Sequence, residues 1–139
     1  MTNQELQETS SKDERDIHAL IQKWAEAVRE ENRAAIRANH DSEILMFDLP
    51  PPLLSRGLDA YMATWERFLS WAERPVALDF HDVKVTAGKD VAFATAIGHC
   101  AGADQKGKRE ELEFRLTMGL RKIDGSWCIV HEHHSLPAE

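Results

Sequence analysis

The 139-residue chain has only two cysteines, Cys100 and Cys128, one tyrosine, Tyr61, and 17 basic against 24 acidic side chains, a formal net charge of −7. Each shortage excludes something. Two cysteines make no disulfide framework, and without C-x-x-C or zinc-type spacing they do not mark a stapled or zinc-held domain. Both fall in apolar, strand-like runs, where a free thiol behaves as a small hydrophobe. The deficit of positive charge argues against a nucleic-acid binder, which needs a basic face, and against docking on an anionic membrane. No run approaches the roughly 18 apolar residues of a membrane span, and Met1 to Ser11 lacks the basic and apolar regions of a signal peptide. There is no phosphate-cradling glycine loop, dinucleotide fingerprint, nucleophile elbow or internal repeat. The expectation is a reduced, cytoplasmic protein with no cofactor, no metal and no nucleic-acid or membrane partner.

What remains is an ordinary globular composition, 42% hydrophobic and 29% charged. The length makes one domain with enough buried surface for a core and an internal pocket. Residues 1–11, polar and almost without hydrophobes, read as a disordered leader, and 12–139 as a single α+β domain. Ser11-Lys12-Asp13-Glu14 is a capping box opening a helix whose Ile17, Leu20, Ile21, Trp24 and Val28 share one face. Asn32 caps a short second helix through Ala38. Glu43 to Asp48 is a short strand, stopped by Pro50-Pro51-Pro52. A third helix carries Leu58, Tyr61, Met62, Trp65, Phe68, Leu69 and Ala72 on one stripe and ends at Pro75. Everything beyond reads as strand: 76–86, 91–101, 111–122 and, after the Asp124-Gly125 hairpin turn, 126–135. Helices first and a strand meander last predict helices over one face of an antiparallel sheet.

The hairpin turn fixes a register. With Asp124 and Gly125 as the loop, Leu120 faces Ile129, Met118 faces His131, Leu116 faces His133 and Phe114 faces Ser135, all on one face because side chains alternate. That face is apolar apart from His131, His133 and Ser135, so it packs on the helices and carries two imidazoles inward. Glu132 falls on the opposite face, diagonal to Arg115 and within reach of an ion pair. Two readings stay open: a pair of satisfied core histidines, or polar groups lining a ligand cavity. The spacing His131-x-His133 also allows two metal ligands on one face, but no third ligand is pinned. Asp48 reads either as a buried general base or as a turn residue capping amides around the prolines. The facing of His81 and His99 depends on whether either strand carries a bulge.

The strings Phe47-Asp48-Leu49-Pro50-Pro51-Pro52-Leu53, Gly57-Leu58-Asp59-Ala60-Tyr61 with Trp65 and Phe68, and Arg115-Leu116-Thr117 form a pattern with the closing segment from Asp124 to Pro137. Over nearly the whole chain after the leader, that pattern resembles the SnoaL-like, ketosteroid isomerase-like branch of the nuclear transport factor 2-like superfamily, SgcJ/EcaC type included. The resemblance implies a cystatin-like cone, a strongly curved antiparallel sheet covered by about three N-terminal helices and enclosing a pocket, usually as a homodimer through the sheet. The same scaffold hosts isomerases, epoxide hydrolases, polyketide cyclases and the kinase II association domain, an oligomerising module, so fold does not settle function. The expected ligand is small and apolar. If catalytic, the protein would be a cofactor-independent isomerase, cyclase or hydrolase of a carbonyl or epoxide compound. His131, His133 and Asp48 would be its acid–base groups, and Trp65, Tyr61, Phe114, Met118 and Ser135 its substrate contacts. The alternative is a non-catalytic association or ligand-binding domain.

Overall fold

A computed structural model describes residues 3–138, with side chains from Lys12 to Ala138. Helix α1 (Asn3–Arg29) begins ahead of the Ser11 box rather than at it, because the preceding Gln and Glu residues are themselves good helix formers. The leader expected over 1–11 otherwise lies outside the residues whose side chains are described. Ile17, Ile21, Trp24, Ala25 and Val28 are the buried stripe of α1. It packs across β3, where Arg29 Nη1 donates to the carbonyl of Leu78 at 2.7 Å. The short α2 (Arg33–Arg37) is capped by Asn32, whose side chain accepts the Ala35 amide at 3.1 Å. Helix α3 is Leu58–Trp71. None of the described helices is long and apolar enough to cross a membrane.

Five strands follow the expected positions, β1 (His40–Phe47), β3 (Leu78–Ala87), β4 (Val91–Ala103), β5 (Arg109–Ile123) and β6 (Ser126–Ser135), and a two-residue β2 (Ser55–Arg56), which the sequence reading did not anticipate, pairs with β1. They form one curved, unclosed sheet in the order β2-β1-β6-β5-β4-β3. The α+β architecture agrees with the expectation, with one correction: β1 runs parallel to β6, so the sheet is mixed. The triple proline turns the chain out of the sheet after β1, and β1 is left free to lie beside the last strand. Asp124 and Gly125 both take positive φ, 51° and 81°, as a type I′ hairpin requires.

The hairpin register holds from Ile123↔Ser126 to Leu120↔Ile129 and then shifts, for the next pair is Gly119↔His131. Val130 is the extra residue of a β-bulge. A one-residue slip moves every later side chain to the other face. Glu132 and His134 therefore turn inward with Met118 and Leu116, and His131, His133 and Ser135 turn outward, the reverse of the straight-register expectation. A second bulge, at Asp82 (φ 53°) on β3, leaves His81 exposed on the outer face.

Candidate functional site

Between α3 and the inner face of the sheet lies a cavity of about 520 Å³, the size of many small-molecule sites. Helix α3 contributes Thr64, Trp65, Phe68 and Trp71, one stripe at helical spacing. Strand β5 contributes Leu112 and Phe114, with Met46 from β1, Leu78 from β3 and Cys100 from β4, and Leu49, Pro50 and Leu136 around them. The charged or titrating groups in the lining are Asp48, Arg67, Glu110, Cys100 and His134. Burial, and then the charge of Asp79, push the Cys100 thiol up to about 11, so it is protonated and inert at neutral pH.

His134 is buried and ringed by aromatics, with Phe114, Trp65 and Trp24 centroids at 5.3, 6.1 and 6.3 Å. Its Nε2 lies 3.1 Å from Glu132 Oε1. The other Glu132 oxygen, Oε2, accepts from Tyr61 OH at 2.7 Å and lies 2.9 Å from His40 Nε2. Glu132 is completely buried. Burial alone raises its carboxyl, but hydrogen bonds from His134 and His40, and their charge, reverse that and hold it at about 2. Burial, then the charge of Glu132 and the bond to it, push the Tyr61 phenol well above its usual 10.

An ionised carboxylate only accepts hydrogen bonds, so His134 must donate through Nε2, and its Nδ1 is the nitrogen left over. The nearest acid to Nδ1 is Asp48 Oδ1 at 3.8 Å, too far for a hydrogen bond; that oxygen accepts Asp48's neighbouring amide, Leu49 N–H, at 2.8 Å. The arrangement is an imidazole whose far side is fixed by a buried carboxylate and whose near nitrogen meets an apolar chamber beside a second carboxylate. Such a nitrogen can take up a proton.

A family model described as the SnoaL-like domain matches residues 17–139. The chain belongs to this family. A nuclear transport factor 2-like protein of unknown function from Pseudomonas putida KT2440 is 31% identical over 94% of this chain and 90% of that one, with a TM-score of 0.82. A ketosteroid isomerase-like protein from Erwinia carotovora atroseptica SCRI1043 shares 18% identity over 99% and 100% of the two chains, TM-score 0.74. The association domain of C. elegans CaMKII shares 18% over 92% and 98%, TM-score 0.73. The latter two likenesses are of fold. No curated protein matches the chain.

Within this SnoaL-like domain, Asp48, Trp65 and Phe114, three of the residues singled out in the sequence, line the cavity. His131 and His133 do not, because the Val130 bulge turns them to the outer face. His131 Nδ1 donates to Leu45 O at 2.6 Å, and both rings lie edge-on to Phe47 at 4.9 and 5.3 Å. Met118 is core rather than lining, Tyr61 stands behind the wall in the Glu132 triangle, and Ser135 faces out and accepts from Arg115 Nε at 3.1 Å. Glu132 makes no pair with Arg115, since the two lie on opposite faces. His134, Glu132 and His40 are the polar residues of the site that sequence reasoning missed. The signal of Glu132 and His134 was present only as a Glu-x-His spacing on β6, which acquires meaning once the bulge is known; His40, at the start of β1, carried none. Among the described residues no group of three or more His, Cys, Asp or Glu side chains is arranged to hold a metal ion.

Proposed function

We propose that this SnoaL-like domain binds a small, mostly apolar carbonyl compound in the cavity and moves a proton at the carbon next to the carbonyl, without a cofactor. His134 Nδ1 is the base, Glu132 fixes and charges the far side of its ring, and Asp48 is the second proton-carrying group beside it. The observation that carries this reading is the unbonded His134 nitrogen at the cavity wall, backed at 3.1 Å by a fully buried carboxylate. A positioned base of this kind contributes about 10²–10⁴-fold to rate.

The test is solvent-deuterium incorporation next to the carbonyl of a panel of aryl and alicyclic ketones, followed by proton NMR. The wild-type protein is expected to catalyse exchange in at least one member, and His134→Gln to lose about 10²–10⁴-fold while its circular dichroism and melting temperature stay close to wild type. No exchange and no thermal shift across the panel would overturn the reading and leave a non-catalytic association domain.

A separate observation bears on assembly rather than on the cavity's function. On the outer face of the sheet Val91 and Phe93 are 61% and 53% exposed, and Phe93 pairs across β4–β5 with Gly119, which leaves its ring uncovered. A second copy of this chain covering that face gives a homodimer through the sheet, compatible with either function of the cavity.

A further inference from the structure

The His40, Tyr61 and Glu132 cluster is buried and takes no part in lining the main cavity, yet its geometry sets a proton count. Three atoms form a triangle: Tyr61 Oη to Glu132 Oε2 is 2.7 Å, Tyr61 Oη to His40 Nε2 is 2.8 Å, and His40 Nε2 to Glu132 Oε2 is 2.9 Å. The phenol supplies one proton and can satisfy one of its two contacts. His40 Nδ1 lies 2.9 Å from the carbonyl of Ala38, an acceptor only, so that nitrogen is already a donor. A neutral His40 would then set the Nε2 lone pair against a carboxylate oxygen at hydrogen-bond distance. Two protons satisfy all three contacts, one from the phenol and one on Nε2.

We propose that His40 is a positioning residue, a buried imidazolium that keeps Glu132 ionised and thereby keeps the His134 proton on Nε2, with Nδ1 open to the cavity. This rests on the reading of His134 as the base. Glu132 and Tyr61 meet His40 Nε2 and the Ala38 carbonyl meets Nδ1, Trp24 packs edge-on at 6.1 Å, and Lys23 lines a small neighbouring cavity. The groups facing His134 are Glu132 and Asp48. A carboxylate left uncompensated in an apolar core takes up a proton rather than stay charged. A protonated Glu132 would donate to His134 Nε2, which would move the ring proton to Nδ1 and turn the base into a donor.

The experiment is histidine-selective ¹⁵N NMR on the full chain, which reads the protonation and tautomer of each ring. Expected in the wild-type protein at neutral pH is a His40 protonated on both nitrogens, as the contacts of its two ring nitrogens require, with His134 as the Nε2–H tautomer. Expected in His40→Gln, which can donate to Glu132 but carries no charge, is a switch of His134 to the Nδ1–H tautomer. Tyr61→Phe, which removes a donor but no charge, should leave His134 unchanged; a role in packing alone would make the two variants alike. A neutral His40 in the wild-type spectrum overturns the proposal even if neither variant folds, and so does an unchanged His134 in a folded His40→Gln. If the tautomers behave as expected and no ketone exchanges deuterium, the positioning role stands and the proton-transfer reading fails.

Discussion

Glu132 is charged in the middle of an apolar core because three partners from three elements reach it together: His40 from β1, Tyr61 from α3 and His134 from its own strand. Its folded-state value of about 2 lies below the ordinary 4.5. A depressed carboxyl stabilises the fold above its unfolded value and loses that stabilisation as pH falls through the folded one. The window therefore runs from about 4.5 down to about 2, and the size, from the shift itself, is about 3 kcal/mol. Urea unfolding of wild type and Glu132→Gln as a function of pH checks this. The wild-type advantage is expected to be full near neutrality and to shrink steadily below pH about 4.5. An advantage that does not change with pH would mean that the carboxylate is not the stabilising form.

The elements themselves were largely legible, because each carries a local signal: the helical stripe of α1, the Asn32 cap, the prolines after β1, the Asp124-Gly125 turn. The inward facing of Trp65 and Phe114 was legible for the same reason, since each follows from the face of one element, whereas Asp48 lies just beyond β1 and accepts the Leu49 amide. The facing of β6 beyond Ile129 was not. A bulge at Val130 has no glycine or proline to announce it, and β-branched valine is an ordinary strand residue. The parallel pairing of β1 with β6 and the meeting of His40, Tyr61 and Glu132 are contacts between distant segments that no local pattern encodes. Strand β4 shows how an element shapes the chamber by what it omits. A Cβ on Gly98 would meet the ring of Phe114, and one on Gly102 the ring of Trp71, so these two walls lie flat on bare backbone. Gly98→Ala and Gly102→Ala are each expected to cost about 1–3 kcal/mol through overpacking, read as a lower melting temperature, and to push the ring into the cavity and weaken ligand binding.

At the scale of the whole molecule, the two faces of the sheet do different work. The inner face encloses the chamber, and the outer one presents Val91 and Phe93 to solvent, which fits pairing with a second copy. Sedimentation of the wild-type chain should give a dimer, and Phe93→Glu, which places a carboxylate on each side of a two-fold contact, a monomer with unchanged helical signal. A monomeric wild type at micromolar concentration would exclude this interface. The sheet order also bears on how the chain comes to be complete during synthesis. Strand β6 lies between β1 and β5, yet it is made after both. Until Ser126–Ser135 leaves the ribosome, the sheet is two separate pieces, a β1–β2 pair and a β3–β5 meander, each with an unpaired edge. The strand that joins them also brings Glu132 to His40 and Tyr61. A nascent chain therefore completes the buried Glu132 cluster only as the sheet closes, because Glu132, His134 and the joining strand arrive in the same ten residues.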